Sequence, residues 1–243
     1  MGKTAVTLTA AINNCLLPIA AINFSIEKAR DYFREFFETD LKRYAAEIPD
    51  ERIVEPRATI AGPAIQGLAY SHNEPPLKDL YLRLLARSMD SDHIDDVHPA
   101  FVETIRQMSA EDALLIRHSL MPYGLQPIVE VGNRLGDSEG VYVNIRNLID
   151  LRDSLDFTVR IVNKRVPMMI DNWQRLGLVK VDFNRRVVGQ GAYDWIESRP
   201  EVIQLRAEHA QTAATRTYEI RKGVLERTEF GKAFAMATAL SMH

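Results

Sequence analysis

The strongest constraint on this chain is a change of hydrophobic period near residue 121. From 27 to 120, apolar side chains recur at the spacing of one helix face, and prolines cut the run into helix-length pieces. Beyond 121 the pattern becomes short alternating apolar runs, the spacing of strands, mixed with shorter helical stretches. Such a chain is predicted to be mainly α with small β elements (α+β), an N-terminal helical bundle followed by a mixed C-terminal part. The first helix, EKARDYFREFFETDLKRYAA (27–46), lines up Tyr32, Phe33, Phe36, Phe37, Leu41 and Tyr44 on one face and stops before Pro49. Pro56 introduces ATIAGPAIQGLAY, which Pro63 is expected to kink or divide. PLKDLYLRLLARSM (76–89) puts Leu77, Leu80, Leu84 and Leu85 on one flank, and PAFVETIRQM (99–108) turns Phe101, Val102, Ile105 and Met108 inward. SAEDALLIRHSL (109–120) opens on Ser109 as N-cap, with Asp112 three residues on, a variant of the capping box.

In the C-terminal part, QPIVEV and GVYVNI are expected to form a hairpin across NRLGDSE. NLIDLRDSL and DFTVRIVNKRV read as short helices. PMMIDNWQRLG reads as a helix with Pro167 in its first turn and Gly177 as its C′ cap. LVKVDF is a strand, roughly 192–213 a helical stretch, TRTYEIRKGVLER (215–227) a second β region turning near Gly223, and TEFGKAFAMATAL a closing helix. A helix ending in Leu-Gly-Leu, then strands, then a Thr-x-Phe-Gly helix resembles the winged-helix pattern. The expected organisation is an apolar N-terminal segment (1–26), a helical bundle (27–120) and a winged-helix-like α+β domain (121–243).

From Thr4 to Ile26 there is no charged residue. A spanning helix needs about 20 apolar residues, but Asn13, Asn14 and Asn23 are costly in lipid and Pro18 interrupts the run. It reads as a buried or self-associating helix, with conditional membrane insertion as the alternative. Lys3 is a thin basic start and no clear A-x-A site follows, against a secretory signal. Cys15 is the single cysteine, so no disulfide framework or Cys-based zinc site is available. A cytoplasmic protein, with membrane association as the alternative, is the expectation.

Charge is uneven. Residues 1–143 hold 14 Lys/Arg against 21 Asp/Glu, and residues 144–243 hold 16 against 12. The basic C-terminal part permits an anionic partner. Arg175, Lys180, Arg185, Arg186, Arg221 and Lys222 are the candidate nucleic-acid or partner surface. Cations that keep strand edges soluble would look the same.

The stretch MDSDHIDDVHPAF (89–101) gathers Asp90, Asp92, Asp95, Asp96, His93 and His98. It fails the calcium-loop template. Counted from Asp90, position six is Asp95 where glycine is needed, and position twelve is Phe101 where glutamate belongs. Counted from Asp92, position six is Val97. Two histidines do not make a zinc set. Pro99 at a helix start, with Asp95 and Asp96 before it, reads as helix punctuation.

MGKT lacks the strand and glycine-rich turn of a phosphate loop, and Gly189-Gln190-Gly191 lacks a dinucleotide-binding unit. No G-x-S-x-G or H-E-x-x-H occurs. Nothing points to a cofactor or a small-molecule substrate. Arg87 and His93 make R-x5-H, which is similar to the signature of HEPN-type ribonucleases, although Ser88 stands where a polar Asn usually follows the Arg. In those enzymes the cation stabilises a scissile phosphate while the histidine moves a proton. Arg87 and His93 are the candidate catalytic residues, against a reading of Arg87 as a helix-end cation.

Taken in order, IPDERIVEPRATIAGPAIQGLAY, PPLKDLYLRLLARSMD, VHPAFVETIRQMSAEDALLI, NWQRLGLVKV and ERTEFGKAFAMA resemble the Abi-alpha (abortive infection alpha) family of bacterial proteins. The likeness covers about 44–120 and 167–240. Within it His98, Pro99, Phe101, Asp112, Gly177 and Gly231 stand as signature or structural positions. The resemblance implies a role in phage defence in which an infected cell stops growing or dies. It carries over no catalytic residue. It leaves a non-enzymatic effector, bound to a protein partner or to itself, as the leading expectation, with a ribonuclease or a winged-helix DNA-binding regulator as alternatives.

Overall fold

A computed structural model of the chain describes residues 7–16, 27–120, 124–135, 141–151, 161–210 and 216–238. The chain divides into two compact units. One runs to Arg117 and is completed by the residues from Lys232, and the other is His118–Gly231. Residues 4–6 and 17–26 of the uncharged run, residues 136–140, the stretch 152–160 expected to be helical and 211–215 lie outside the described residues.

The first unit is helical. Its elements are α1 (Leu8–Leu16), α2 (Glu27–Glu35), α3 (Phe37–Ala45), α4 (Ala58–Ser71), α5 (Pro75–Ser88), α6 (Ala100–Arg106) and α7 (Ala110–Leu120), and α10 (Glu229–Ala237) closes it. The helix expected over 27–46 is two helices, because Phe36 leaves helical geometry at φ −120°. The break takes Phe36 off the apolar face, where it is 57% exposed, while Tyr32, Phe33, Phe37 and Leu41 stay buried. Pro63 does not divide its segment. α4 runs through it, and the helix loses only one backbone donor there. α5 lies against α4 with Tyr81 at Gly67, where a Cβ would overlap the Tyr81 ring and its hydroxyl. Asp40 on α3 accepts from both Tyr32 (3.2 Å) and Lys78 (3.0 Å), and Asp79 on α5 accepts from Tyr44 (2.7 Å) and Arg83 (2.8 Å). α1 packs against α3 and α4, with Ala11 and Ile12 fully buried. Phe234 of α10 meets Phe101 of α6 edge-on, ring centres 5.6 Å apart.

The second unit is built on an antiparallel sheet of four strands in the order β2-β1-β4-β3: β1 (Gln126–Leu135), β2 (Val141–Ile149), β3 (Val179–Asp182) and β4 (Arg216–Arg227). α8 (Val166–Arg175) packs on β2 and β3, and α9 (Pro200–Ala210) follows a 3-10 turn at Asp194–Ser198. Val129, Val131 and Leu148 on one sheet face bury Tyr193, Ile196 and Val202. The hairpin expected from QPIVEV and GVYVNI is present, but β2 runs on through Asn147–Ile149, residues expected to be helical. Ile161–Asn163 are not helical either. The β1–β2 pairing shifts register twice, between Val129 and Val131 and between Val131 and Gly132.

No turn occurs at Gly223. β4 is continuous, pairing with β1 from Arg216 to Leu225 and with β3 to Arg227. Glycine is there for closeness: a Cβ on residue 223 would stand 2.5 Å from the Phe183 ring. The C-terminus of α8 follows the expectation in detail. Gly177 adopts φ +73°, its N–H donates to Gln174 O at 2.9 Å, and the Leu178 N–H donates to Trp173 O at 2.9 Å. Those two bonds are the Schellman motif.

Candidate functional site

The acidic stretch between α5 and α6 is clamped onto the segment before α4. Ile53 and Asp90 form an isolated β-bridge, Val54 N donates to Met89 O and Ser91 N to Arg52 O, both at 2.9 Å. Each aspartate then faces a cation. Arg52 grips Asp90 with two donors and reaches Asp92 at 3.1 Å, Arg57 pairs with Asp95, and Asp96 receives Arg87 and His93. Burial raises the pKa of Asp90. The Arg52 hydrogen bond and the Asp92 backbone N–H outweigh that and hold its carboxyl below the ordinary value. Carboxylates committed to guanidinium groups are poor candidates for metal ligation. Among the described residues no group of three or more His, Cys, Asp or Glu could hold a metal ion.

Arg87 and His93 do come together, but on a protein carboxylate. Arg87 Nη2 lies 3.4 Å from Asp96 Oδ2, and His93 Nδ1 lies 3.1 Å from the same oxygen. Asp96 occupies the position an anion would take between them. His98, Pro99 and Phe101 lie at the start of α6. The Ala100 N–H donates to His98 Nδ1 at 3.1 Å, Pro99 is the N-cap of α6, and Phe101 is buried against Phe234. Ser109 and Asp112 form the capping box: Asp112 N donates to Ser109 Oγ at 3.0 Å, and Ser109 N and Oγ donate back to Asp112 Oδ2 at 3.0 and 2.7 Å. At the far end, Thr228 Oγ1 donates to Gly177 O and accepts from Gly231 N at 2.8 Å, while Thr228 N donates to Leu178 O at 3.1 Å.

The candidate cationic surface is not one face. Arg221 and Lys222 are neighbours on β4 and point to opposite sides of the sheet. Lys222 lies over the Tyr193 ring on the side of the α9 core, and Arg221 over Phe183 on the other. Lys180 and Arg185 share the Glu226 carboxylate, whose pKa they lower. Arg175 donates to Asn172 at 2.8 Å, and Arg186 is exposed. A duplex needs several free cations in one register. Here Lys180 and Arg185 share one carboxylate, Arg221 pairs with Glu130, and Lys222 faces the opposite side of the sheet from Arg221.

The sequence profile of the abortive infection alpha family matches residues 29–238, nearly the whole length. The chain belongs to the abortive infection alpha family. No curated protein and no solved structure matches it.

One feature of this Abi-alpha protein is not legible as a motif. On the sheet face away from the Tyr193 core, Glu130 and Gly132 of β1, Val143 of β2, and Glu219 and Arg221 of β4 line an open groove of 340 Å³. Gly132 stands opposite both Val143 and Glu219, and Glu130 opposite Arg221, so all five share one face. Arg134 closes one end with two bonds to Glu219, at 2.9 and 3.1 Å. The alternation Glu130-x-Gly132-x-Arg134 can be read from the chain. Its pairing with Glu219 and Arg221, 85 and 91 residues away, cannot.

Proposed function

We propose that this Abi-alpha protein acts in abortive infection as a non-enzymatic effector, working through a protein partner or its own copies and delivering its effect through the N-terminal apolar segment. The observation that carries the reading is the convergence of Arg87 and His93 on Asp96. A nuclease using that pair would need the position between them open to a phosphate. The burial of Ala11 and Ile12 adds a second support: the apolar segment has a protein-packed resting place, as a conditional effector requires. Among the described residues no helix is long and apolar enough to cross a membrane, so α1 would have to leave its packing and act together with the residues after it.

The test uses the full chain in phage-challenged cells, scored for survival, RNA integrity and membrane potential together. His93→Ala is expected to protect as well as wild type with RNA intact. Ala10→Asp adds a charge on the exposed side of α1 and leaves the packed Ala11 and Ile12 in place. It is expected to lose depolarisation and protection together. Full protection by Ala10→Asp would remove the N-terminal mechanism, and loss of protection in His93→Ala with RNA cleavage in wild type would make the protein a ribonuclease.

A further inference from the structure

We propose that the groove on the β1–β4 face receives a cationic side chain, arginine or lysine, presented by the effector's protein partner; this rests on the partner-binding reading above. The argument turns on an imbalance between two ion pairs in one groove. Glu219 is firmly held, because Arg134 binds it with two well-formed bonds. Glu130 is not. Its side chain is only 13% exposed, and its ion-pair partner among the described residues is Arg221 Nη1 at 3.4 Å, the outer limit of a hydrogen bond. A carboxylate with room for about four donors is therefore held by one long contact at the floor of a groove.

Arg221 has somewhere else to go. Its side chain is 56% exposed, and its guanidinium lies 4.9 Å from the centre of the Phe183 ring, which Gly223 allows to sit close against β4. A cation entering from solvent can take Glu130 while Arg221 stays on the ring face. Gly132 and Val143 provide a floor without donors or acceptors, against which the methylene stem of a lysine or arginine can lie. The volume suits a single side chain, at the lower end of the ~300–1,000 Å³ of ligand clefts. An acidic side chain would meet Glu130 and Glu219 at the floor and have only Arg221 in its favour.

The test follows amide shifts of the full chain during titration with N-acetyl-arginine methylamide and N-acetyl-lysine methylamide, with N-acetyl-glutamate methylamide as the opposing probe. The cationic probes are expected to shift Gly132 and Val143 saturably, and the anionic one is expected to leave them unmoved. Glu130→Gln, nearly isosteric, is expected to weaken binding at least tenfold. Arg221→Ala removes the internal competitor and is expected to tighten it several-fold. Loss of binding in Arg221→Ala, a response to the glutamate probe, or no response to any probe overturns the proposal. Thermal unfolding of each variant separates these outcomes from misfolding. If the groove fails while His93→Ala still protects cells and Ala10→Asp does not, the effector reading stands and only the groove assignment falls.

Discussion

Gly231 sits against the backbone of Leu178 so closely that no other residue fits. A Cβ at 231 would overlap the Leu178 carbonyl oxygen and stand 2.8 Å from its carbon. The same Leu178 carbonyl accepts the Thr228 N–H, and the Leu178 N–H completes the α8 cap. The Leu-Gly-Leu and Thr-x-Phe-Gly motifs are thus two halves of one junction, fixing where β3 starts and where α10 starts.

Gly231→Ala is therefore expected to cost ~1–3 kcal/mol, since the obstacle is backbone and cannot rotate away. Gly62→Ala, in the interior of α4, meets nothing within 4 Å beyond its chain neighbours, but the Pro63 ring crowds a Cβ on the residue before it in a helix, so it is expected to gain less than the ~0.4–1 kcal/mol of an unstrained Gly→Ala change. Denaturant unfolding of both variants checks the pair. A neutral Gly231→Ala would mean the junction yields.

The clamp over the acidic stretch predicts an acid limb in the stability curve. Asp90 has a folded pKa below its ordinary 3.8, so its pairing with Arg52 contributes fully above that value. The contribution is lost as pH falls through the lower folded value. Asp90→Asn should be less stable than wild type near neutrality and lose less on acidification from about pH 4 downward. Parallel limbs in the two proteins would contradict the assignment.

Ser109→Ala removes the acceptor for the Asp112 N–H and a donor to the Asp112 carboxylate, at a site where Asp112 is buried. A loss of ~0.5–2 kcal/mol is expected. Thermal unfolding measures it, and a change below the noise would show that the capping box is dispensable.

Duplex DNA should not be retained at about 150 mM salt, because Lys180 and Arg185 are held by Glu226 and Arg221 and Lys222 diverge. A mobility-shift series across salt is the measurement. Binding that falls steeply with salt would place several free cations on one surface after all.

How far the sequence reaches depends on the range of the interaction. Caps and breaks are local: Pro167 in the first turn of α8, Ser109 with Asp112, and Gly177 after α8 each act within a few residues, so their roles were open to reading from neighbouring letters. The order of motifs was likewise enough to name the family. Phe36 marks a limit. Its spacing put it on the apolar face, and a local break in the helix put it in water.

What the sequence determined by itself is the class of fold, the helix boundaries set by proline and glycine, and the family. Only the tertiary structure decided that Gly223 serves Phe183 and not a turn, that the four aspartates are tied to Arg52, Arg57, Arg87 and His93, and that Arg221 and Lys222 part company across the sheet. The physical reason is common to all three. Periodicity records which side of its own element a residue faces, but which partner waits there depends on strand register and chain return over tens of residues. That pairing leaves no mark in either segment read alone.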